Sequence, residues 1–189
     1  MILPVYLYGS PVLREKAVEI SKEYPNLEKL LADMFETMYN ASGVGLAAPQ
    51  IGKAIRLFIV DGSPMDESEE GGEDTHDFKQ VFINPIILEE SGEEWAFEEG
   101  CLSIPSIREE VWRQETLTIQ YFDENWVAKK ETYSGIKARI IQHEYDHIEG
   151  VLFVDYVTGL KKQLLKGKLN RIVKGLSNAS YPTRMQTRK

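Results

Sequence analysis

Residues 142–147 read Q-H-E-Y-D-H and contain the pattern H-E-x-x-H, which restricts the fold more than any other stretch of this chain. Side chains four residues apart lie on one face of a helix, so His143 and His147 can offer imidazole nitrogens to one metal ion. Glu144 lies between them, where it can act as general base on a metal-bound water. A metal-carrying helix is therefore the element around which the rest of the chain must pack.

Two histidines leave a tetrahedral hydrolytic site one protein ligand short. The chain has a single cysteine, Cys101, within the sequence E-G-C-L-S at residues 99–103. A lone cysteine is most often a small buried apolar residue, and it can also be the nucleophile of a Cys–His hydrolase. H-E-x-x-H already supplies a metal and a base, so it needs a third ligand more than a second nucleophile. The residues alone do not separate a metal ligand from a nucleophile at Cys101.

Residues 43–50 read G-V-G-L-A-A-P-Q. The two glycines can form an ordinary flexible turn. With Ala47 and Ala48 close behind, they can instead mark backbone that a ligand approaches closely, because neither residue type carries a bulky side chain.

Together these three motifs resemble those of the peptide deformylases, which show G-x-G-x-A-A-x-Q, E-G-C-x-S and Q-H-E-x-D-H in this order. All three lie between Gly43 and His147. The resemblance implies a hydrolase that removes the N-formyl group from the initiator methionine of newly made polypeptides and releases formate. It also implies one divalent metal ion on Cys101, His143 and His147. Fe(II) is expected in the cell, and Zn, Ni or Co in isolated protein.

The resemblance also implies how the reaction proceeds. Glu144 accepts a proton from the metal-bound water and later returns it to the leaving amine. The side-chain amide of Gln50 and the backbone N–H of Leu102 stabilise the oxyanion. Asp146 directly precedes His147, and ligating histidines usually donate their second N–H to a carboxylate or carbonyl. The residues expected to support the ligands from behind are Glu99, Arg113, Gln142 and Asp146.

Specificity for methionine needs an apolar pocket beside the metal. Ile136 and Ile140 share the helix face of His143, so they can line that pocket. Arg139 beside this face and Arg108 beyond the cysteine loop are candidates for the rim, where they would hold the peptide. The residues expected to bind the peptide are Val44, Gly45, Gly100, Arg108, Ile136, Arg139 and Ile140.

Two other functions remain open at this point. A zinc endopeptidase would also carry H-E-x-x-H, but it usually has nitrogen and oxygen ligands, and the E-G-C-L-S loop fits it poorly. A non-enzymatic module bound to the ribosome would hold a structural metal, and such a site has four protein ligands.

With 189 residues, 42% of them hydrophobic, the chain can form one globular domain over residues 1–189. It has no run of about 18 apolar residues, so we expect no transmembrane helix. The first residues do not read as a signal peptide. One cysteine cannot form an internal disulfide, and a reactive thiolate needs reducing surroundings, so a bacterial-type cytoplasmic location is expected.

The net charge of −8 is unevenly distributed. Residues after Asp155 include nine of the 22 basic residues and none of the 30 acidic ones, so residues 1–155 carry a formal −17 and the tail +9. An acidic body disfavours DNA binding. The basic tail can bind an RNA-rich surface such as the ribosome, or it can simply be a solvated helix.

Hydrophobic periodicity predicts helices over residues 26–39, 134–150 and 160–176, with Asn26 and Ser134 as N-caps. Strands are predicted over 55–60, 81–88 and 95–98, and a hairpin from 116–122 and 126–133. This order indicates an α+β fold with mostly antiparallel sheets packed around the central metal-binding helix, followed by the C-terminal helix. Every expected site residue precedes Gly150.

Residues 62–77 are rich in Glu, Asp, Ser and Gly and have almost no apolar content. We predict a mobile, solvated, acidic surface loop without an apolar anchor, in which His76 is an exposed bystander.

Overall fold

The structure is a computed structural model, and it describes residues 1–65 and 75–186. Its helices are α1 (Leu27–Asn40), α2 (Gly135–Ile148) and α3 (Gly159–Val173). Its strands are β1 (Val5–Tyr6), β2 (Gly45–Ala47), β3 (Leu57–Asp61), β4 (Lys79–Cys101), β5 (Ile104–Phe122), β6 (Ala128–Ser134) and β7 (Thr183–Arg184).

Five strands of the described chain form one antiparallel sheet in the order β2-β3-β4-β5-β6. The short strands β1 and β7 pair separately, in parallel. With its helices, this arrangement confirms the predicted α+β fold and its mainly antiparallel sheet.

Strands β4 and β5 form a hairpin much longer than the sequence predicted. Residues 81–88 and 95–98 were expected as two separate strands, but both belong to β4, and residues 104–115 were not predicted as strand at all. Register shifts interrupt the pairing, and one falls between Ile83 and Ile86. Asn84 has φ 49° there, and its side chain bonds the backbone N–H and C=O of Ile20. The irregularity expected at Asn84-Pro85 is thus confirmed.

Helix α2 lies against the sheet, where it packs on β2, β3, β5 and β6. Ala138, Ile141 and Ile148 of α2 are fully buried, and the stacked rings of Phe58 and Phe82 belong to the same cluster. Burial of each large apolar side chain contributes about 1.5–3 kcal/mol, so the position of α2 is strongly fixed.

The predicted helix starts are right in position but differ in how they are made. Asn26 adopts a left-handed conformation with φ 55°, and its backbone carbonyl accepts a hydrogen bond from Leu30 N. The Ser134 hydroxyl pairs with Thr116 Oγ1 of the neighbouring strand at 3.0 Å. The expected stop at Gly150 fits its φ of 75°, which glycine adopts without strain.

Helix α3 ends at Val173, three residues before the predicted end at Leu176. It buries only Leu165 and Ile172, which pack on the apolar cluster that includes Ile104 and Phe153. No helix within residues 1–65 and 75–186 is long and apolar enough to cross a membrane.

The expectation of a mobile acidic loop at residues 62–77 falls largely on residues 66–74, which lie outside the described chain. The described flanks correct one part of it, the missing apolar anchor. Met65 packs against the apolar cluster of the sheet, and Gly62 N donates to Phe78 O at 2.8 Å. His76 is exposed, in keeping with a bystander.

Candidate metal centre

Three side chains converge where α2 crosses the end of β4. His143 and His147 lie one helical turn apart, and their ring centroids are 5.1 Å apart. Cys101 ends β4, and its Sγ is 3.3 Å from His147 Nε2. One potential ligand atom from each of the three residues lies within 4.8 Å of the others.

The chemistry of this cluster fits a transition-metal ion. Two imidazole nitrogens and one thiolate sulfur suit Zn and other first-row ions, and three protein ligands leave a position open. Glu99 Oε2 lies 2.9 Å from His143 Nδ1, which leaves His143 Nε2 free to ligate. Burial holds the pKa of His147 well below its ordinary value, so its ring is neutral, as a ligand must be.

The pKa of His143 behaves differently. Burial alone would lower it, but the neighbouring Cys101 thiol and the Glu99 carboxylate raise the pKa well above its ordinary value. The surroundings of His143 therefore favour positive charge at this position. A metal cation meets the same demand.

Glu144 lies beside the cluster and is only 4% exposed. Its Oε2 has no hydrogen-bond partner among the described residues, and burial raises the pKa of the carboxyl to about 7. A Cβ at Gly45 would come within 2.7 Å of Glu144 Cδ. The close approach expected at the glycine motif is therefore made, within the chain itself, by Glu144.

Gln50 is buried in the short 3₁₀ turn Ala48–Ile51 and is not an ordinary surface amide. Its Oε1 accepts a hydrogen bond from Ala47 N at 2.8 Å. That bond directs Nε2 toward the cluster, where it lies 3.5 Å from Cys101 Sγ and 3.3 Å from Ser103 Oγ. The amide donor thus faces the ligand atoms.

A buried charge network supports His143 from behind. Glu99 accepts hydrogen bonds from Arg113 Nε at 2.7 Å and Arg139 Nη1 at 3.0 Å, in addition to its contact with His143. Burial would raise the pKa of Glu99, but the hydrogen bonds from His143 and Arg113 hold it well below its usual range. Glu99 is therefore a carboxylate, and Arg113 is its partner as expected.

Two residues expected to support the ligands make their hydrogen bonds to other groups. The amide of Gln142 donates to Glu90 Oε1 at 2.8 Å and to Gln114 O at 3.2 Å, so it ties α2 to the long hairpin. One residue is about 100° of helical turn, which directs residue 142 away from His143. Asp146 was expected at His147, but it accepts a hydrogen bond from Arg113 Nη1 at 2.8 Å. Its support reaches the ligands through Arg113 and Glu99.

His147 Nδ1 is left without a partner among the described residues. The expectation that a carboxylate at position 146 would take this N–H is therefore wrong. The Asp146 carboxylate pairs instead with the Arg113 guanidinium, and it also accepts a hydrogen bond from the Tyr156 hydroxyl at 3.0 Å.

Cys101 and His143 of the cluster line a cleft of about 1000 Å³. Arg108 is exposed at its edge and lies 3.8 Å from Glu98, so it occupies the expected rim position. Arg139 also lines the cleft, but it is only 2% exposed and donates to Glu99, to Val111 O and to Trp95 O, so it lies in the wall and not at the exposed rim. Other expected peptide-binding residues that line the cleft are Val44, Gly45, Gly100, Ile136 and Ile140, together with Gln50, Leu102 and Glu144.

The cleft also includes residues that no motif predicted. Pro64 and Met65 line it at the start of the acidic segment, and residues 178–181 line it beyond α3. The Tyr181 hydroxyl donates to Leu102 O at 2.7 Å. The predicted site residues all precede Gly150, whereas the cleft lining also includes residues beyond it. No motif could have revealed these contacts, since Tyr181 lies 79 residues from Leu102.

The fold is α+β, with an antiparallel sheet packed on an H-E-x-x-H helix and a cysteine beside the two histidines. These features define the class of metal-dependent hydrolases. The model of the family described as polypeptide deformylase matches residues 2–163. The chain is 56% identical to a peptide deformylase of Christiangramia forsetii, over 100% of this chain and 98% of that protein. It is 53% identical to one of Flavobacterium psychrophilum over the full length of both.

Solved structures are similar as well. The crystal structure of a peptide deformylase from Legionella pneumophila superposes with a TM-score of 0.79 at 37% identity, covering 92% of this chain and 96% of that one. This chain belongs to the polypeptide deformylase family.

Proposed function

We propose that this protein removes the N-formyl group from the initiator methionine of newly made polypeptides and releases formate. One observation carries the proposal: Cys101, His143 and His147 converge at a cleft that Glu144 and Gln50 also line, with Gln50 Nε2 3.5 Å from Cys101 Sγ. Membership of the family supports it.

Cys101, His143 and His147 would hold one divalent metal ion, Fe(II) in the cell and Zn, Ni or Co after isolation. When bound, the ion supplies Lewis acidity, which lowers the pKa of water and polarises the formyl carbonyl. Glu99 orients His143 through Nδ1, and Arg113 keeps Glu99 charged and in place. Asp146 supports Arg113 in turn.

Glu144 acts as the general base. Its carboxylate accepts the proton of the attacking water and then returns it to the amine of the departing peptide, whose C–N bond breaks as formate leaves. Burial suits this role, because it makes the carboxylate more basic than an exposed one.

Gln50 and Leu102 stabilise the oxygen on which negative charge develops. Ala47 N donates a hydrogen bond to Gln50 Oε1, and this bond fixes the direction of Gln50 Nε2. Little reorganisation of this donor is therefore needed during the reaction. The backbone N–H of Leu102 is the second donor. Gly45 leaves the space that Glu144 occupies.

The methionine side chain binds in the apolar part of the cleft. Val44, Ile136 and Ile140 line it, and the hydrogen on the formyl carbon needs no further room. The backbone of Gly45 and Gly100 flanks the peptide, and exposed Arg108 holds it further along. Arg139 lies buried in the cleft wall, where it fixes Glu99 and the hairpin.

The test is formate release after anaerobic reconstitution with Fe(II), compared with Zn(II). We expect turnover of formyl-Met-Ala and none of unformylated Met-Ala-Ser, with the Fe(II) form the more active. Cleavage of the unformylated peptide would favour an endopeptidase and overturn the proposal.

We also propose that α3 contacts the ribosome. The basic side chains of α3 and of Lys174, directly after its end, are exposed and carry the opposite sign to the acidic body: Lys161, Lys162, Lys166, Lys168, Arg171 and Lys174. Binding through phosphates weakens steeply with salt. The double charge reversal K166E/K168E should abolish salt-sensitive co-sedimentation with ribosomes, while K22E/K130E on the body should not. Equal binding by both would leave α3 as a solvated helix.

Two further parts of the proposal concern the whole chain. We propose that residues 1–189 form one catalytic domain in the cytoplasm, where reducing conditions preserve the Cys101 thiolate. A single cooperative unfolding transition, followed by both fluorescence and circular dichroism, is the expected result.

A further inference from the structure

Beyond α3 the chain turns at Gly175 and returns along the N-terminal segment. Val5 N donates to Pro182 O at 2.9 Å, and Leu7 N donates to Arg184 O at 3.0 Å. Gln186 N then donates to Ser10 Oγ at 3.1 Å. These bonds hold residues 182–186, so they also determine where the residue just before them lies.

That position is occupied by Tyr181, whose hydroxyl donates to Leu102 O at 2.7 Å. Leu102 and Ser103 form the short connection between β4 and β5, directly after Cys101. Ser103 is already fixed, because its carbonyl accepts from Tyr8 N at 2.8 Å and its hydroxyl from Gln50 Nε2 at 3.3 Å. Tyr181 supplies the bond that fixes Leu102.

The Leu102 N–H and the Leu102 carbonyl belong to the two peptide planes that meet at the Leu102 Cα, so the φ and ψ angles of this residue relate their directions. Cys101 is held by its pairing with Ile104, and Ser103 by its bonds to Tyr8 and Gln50. Between these fixed ends, a bond that fixes the Leu102 carbonyl restricts the φ and ψ of Leu102, and with them the direction of the Leu102 N–H, the donor assigned above to the oxyanion. Residues 178–180 continue from Tyr181 along the cleft wall. They lie outside residues 2–163, the part that the family model matches.

We propose that residues 178–181 form a wall of the substrate cleft and that Tyr181 is a positioning residue, which holds the Leu102 turn in its reactive geometry. This inference rests on the proposed deformylase function. Tyr181 takes no part in bond making. It acts through the turn that lies between the metal ligand Cys101 and the fixed Ser103.

The first test removes only the hydroxyl, in Tyr181→Phe. The matched control is Tyr6→Phe, since the Tyr6 hydroxyl contacts Arg184 on the same strand pair but does not line the cleft. Backbone hydrogen exchange of residues 101–104 should become faster in Tyr181→Phe and stay unchanged in Tyr6→Phe. With formyl-Met-Ala, kcat per bound metal should fall about threefold to tenfold while KM stays within about twofold.

A merely structural role would lower the melting temperature or the metal content without changing kcat per metal. Unchanged exchange, or unchanged kcat per metal, in Tyr181→Phe overturns the positioning role. If the parent protein releases no formate, the proposed function fails, while the exchange measurement still decides whether Tyr181 holds the turn.

The second test addresses the wall. Ser180→Trp should narrow the cleft and raise KM for formyl-Met-Ala-Ser at least about fivefold, because the indole would occupy space needed by the peptide. Leu176→Trp is the control, since Leu176 is exposed just before the lining residues, and its KM should stay within about twofold. Equal KM values for the two variants would contradict the proposal that residues 178–181 form a wall of the substrate cleft.

Discussion

Helices α2 and α3 are nearly equal in length, 14 and 15 residues, but the protein uses them in opposite ways. Nine residues of α2 are buried, and four of those are polar: Arg139, Gln142, Glu144 and His147. Only Leu165 and Ile172 are buried in α3. The difference follows from packing, because α2 has partners on several sides that can hold buried polar groups, whereas most of α3 is exposed to solvent.

The charged groups of the two helices also differ in burial. Charged groups packed on α2 form a buried network through Glu99, Arg113 and Arg139. On α3 the charges are exposed, and Lys161 lies 3.7 Å from Glu109 in a pair that solvent and salt weaken. Substitutions in the two helices should therefore differ sharply in effect.

The largest contrast is expected for turnover. Glu144→Ala on α2 should keep the metal but lose about 10²–10⁴-fold in kcat, because proton transfer then has no base. Gln163→Ala on α3 should leave kcat unchanged, since Gln163 is exposed. Formate release and elemental analysis measure both. Near-normal turnover of Glu144→Ala would remove this residue from the mechanism.

The next effect concerns metal affinity. Cys101→Ser should weaken metal binding more than about 100-fold, since even the loss of an outer partner costs about 10–100-fold and a hydroxyl is a poor ligand. Competition with a chelator measures it. Full metal retention, or a formyl-cysteine adduct trapped on the parent protein, would show a nucleophile in place of a ligand.

The charged groups around the two helices should contribute differently to the free energy of unfolding. Glu99→Gln removes the carboxylate shared by two buried arginines and should cost about 3–5 kcal/mol of unfolding free energy. Glu109→Gln breaks the contact with Lys161 on α3 and should cost less than about 1 kcal/mol. Urea unfolding followed by circular dichroism compares them, and similar losses would contradict the contrast.

The smallest expected effect comes from apolar truncation on α3. Leu164→Ala should change the unfolding free energy by no more than about 0.5 kcal/mol, because Leu164 is 68% exposed. Ile141→Ala on α2 should cost about 2–5 kcal/mol, because Ile141 is fully buried. A large loss from Leu164→Ala would indicate a covered face on α3.

The three helices were predictable because their apolar residues repeat with a helical period and glycines follow their ends. The strand from residue 104 to 115 was not predictable, although it alternates. Its buried positions include Arg113, which is only 7% exposed because Glu99 and Asp146 neutralise it. A pattern that counts charged residues as exposed misses a strand that buries an arginine.

The motifs likewise predicted which residues gather at the cleft but not which partner each one takes. Gln142 and Asp146 lie next to the ligands in sequence, yet they bond the hairpin and Arg113. Helical rotation and tertiary packing decide these contacts. Tyr181 shows the same limit at long range, since no local pattern relates it to Leu102.

The pairing of β1 with β7 joins Val5 to Thr183, almost at opposite ends of the described chain. Synthesis proceeds from the N-terminal side at about 5–20 residues per second, so Thr183 is made roughly 10–35 s after Val5. During that interval β1 has no partner strand, and the Leu102 turn lacks the hydroxyl that holds it. The order of synthesis thus makes the cleft wall one of the last parts of the molecule to form.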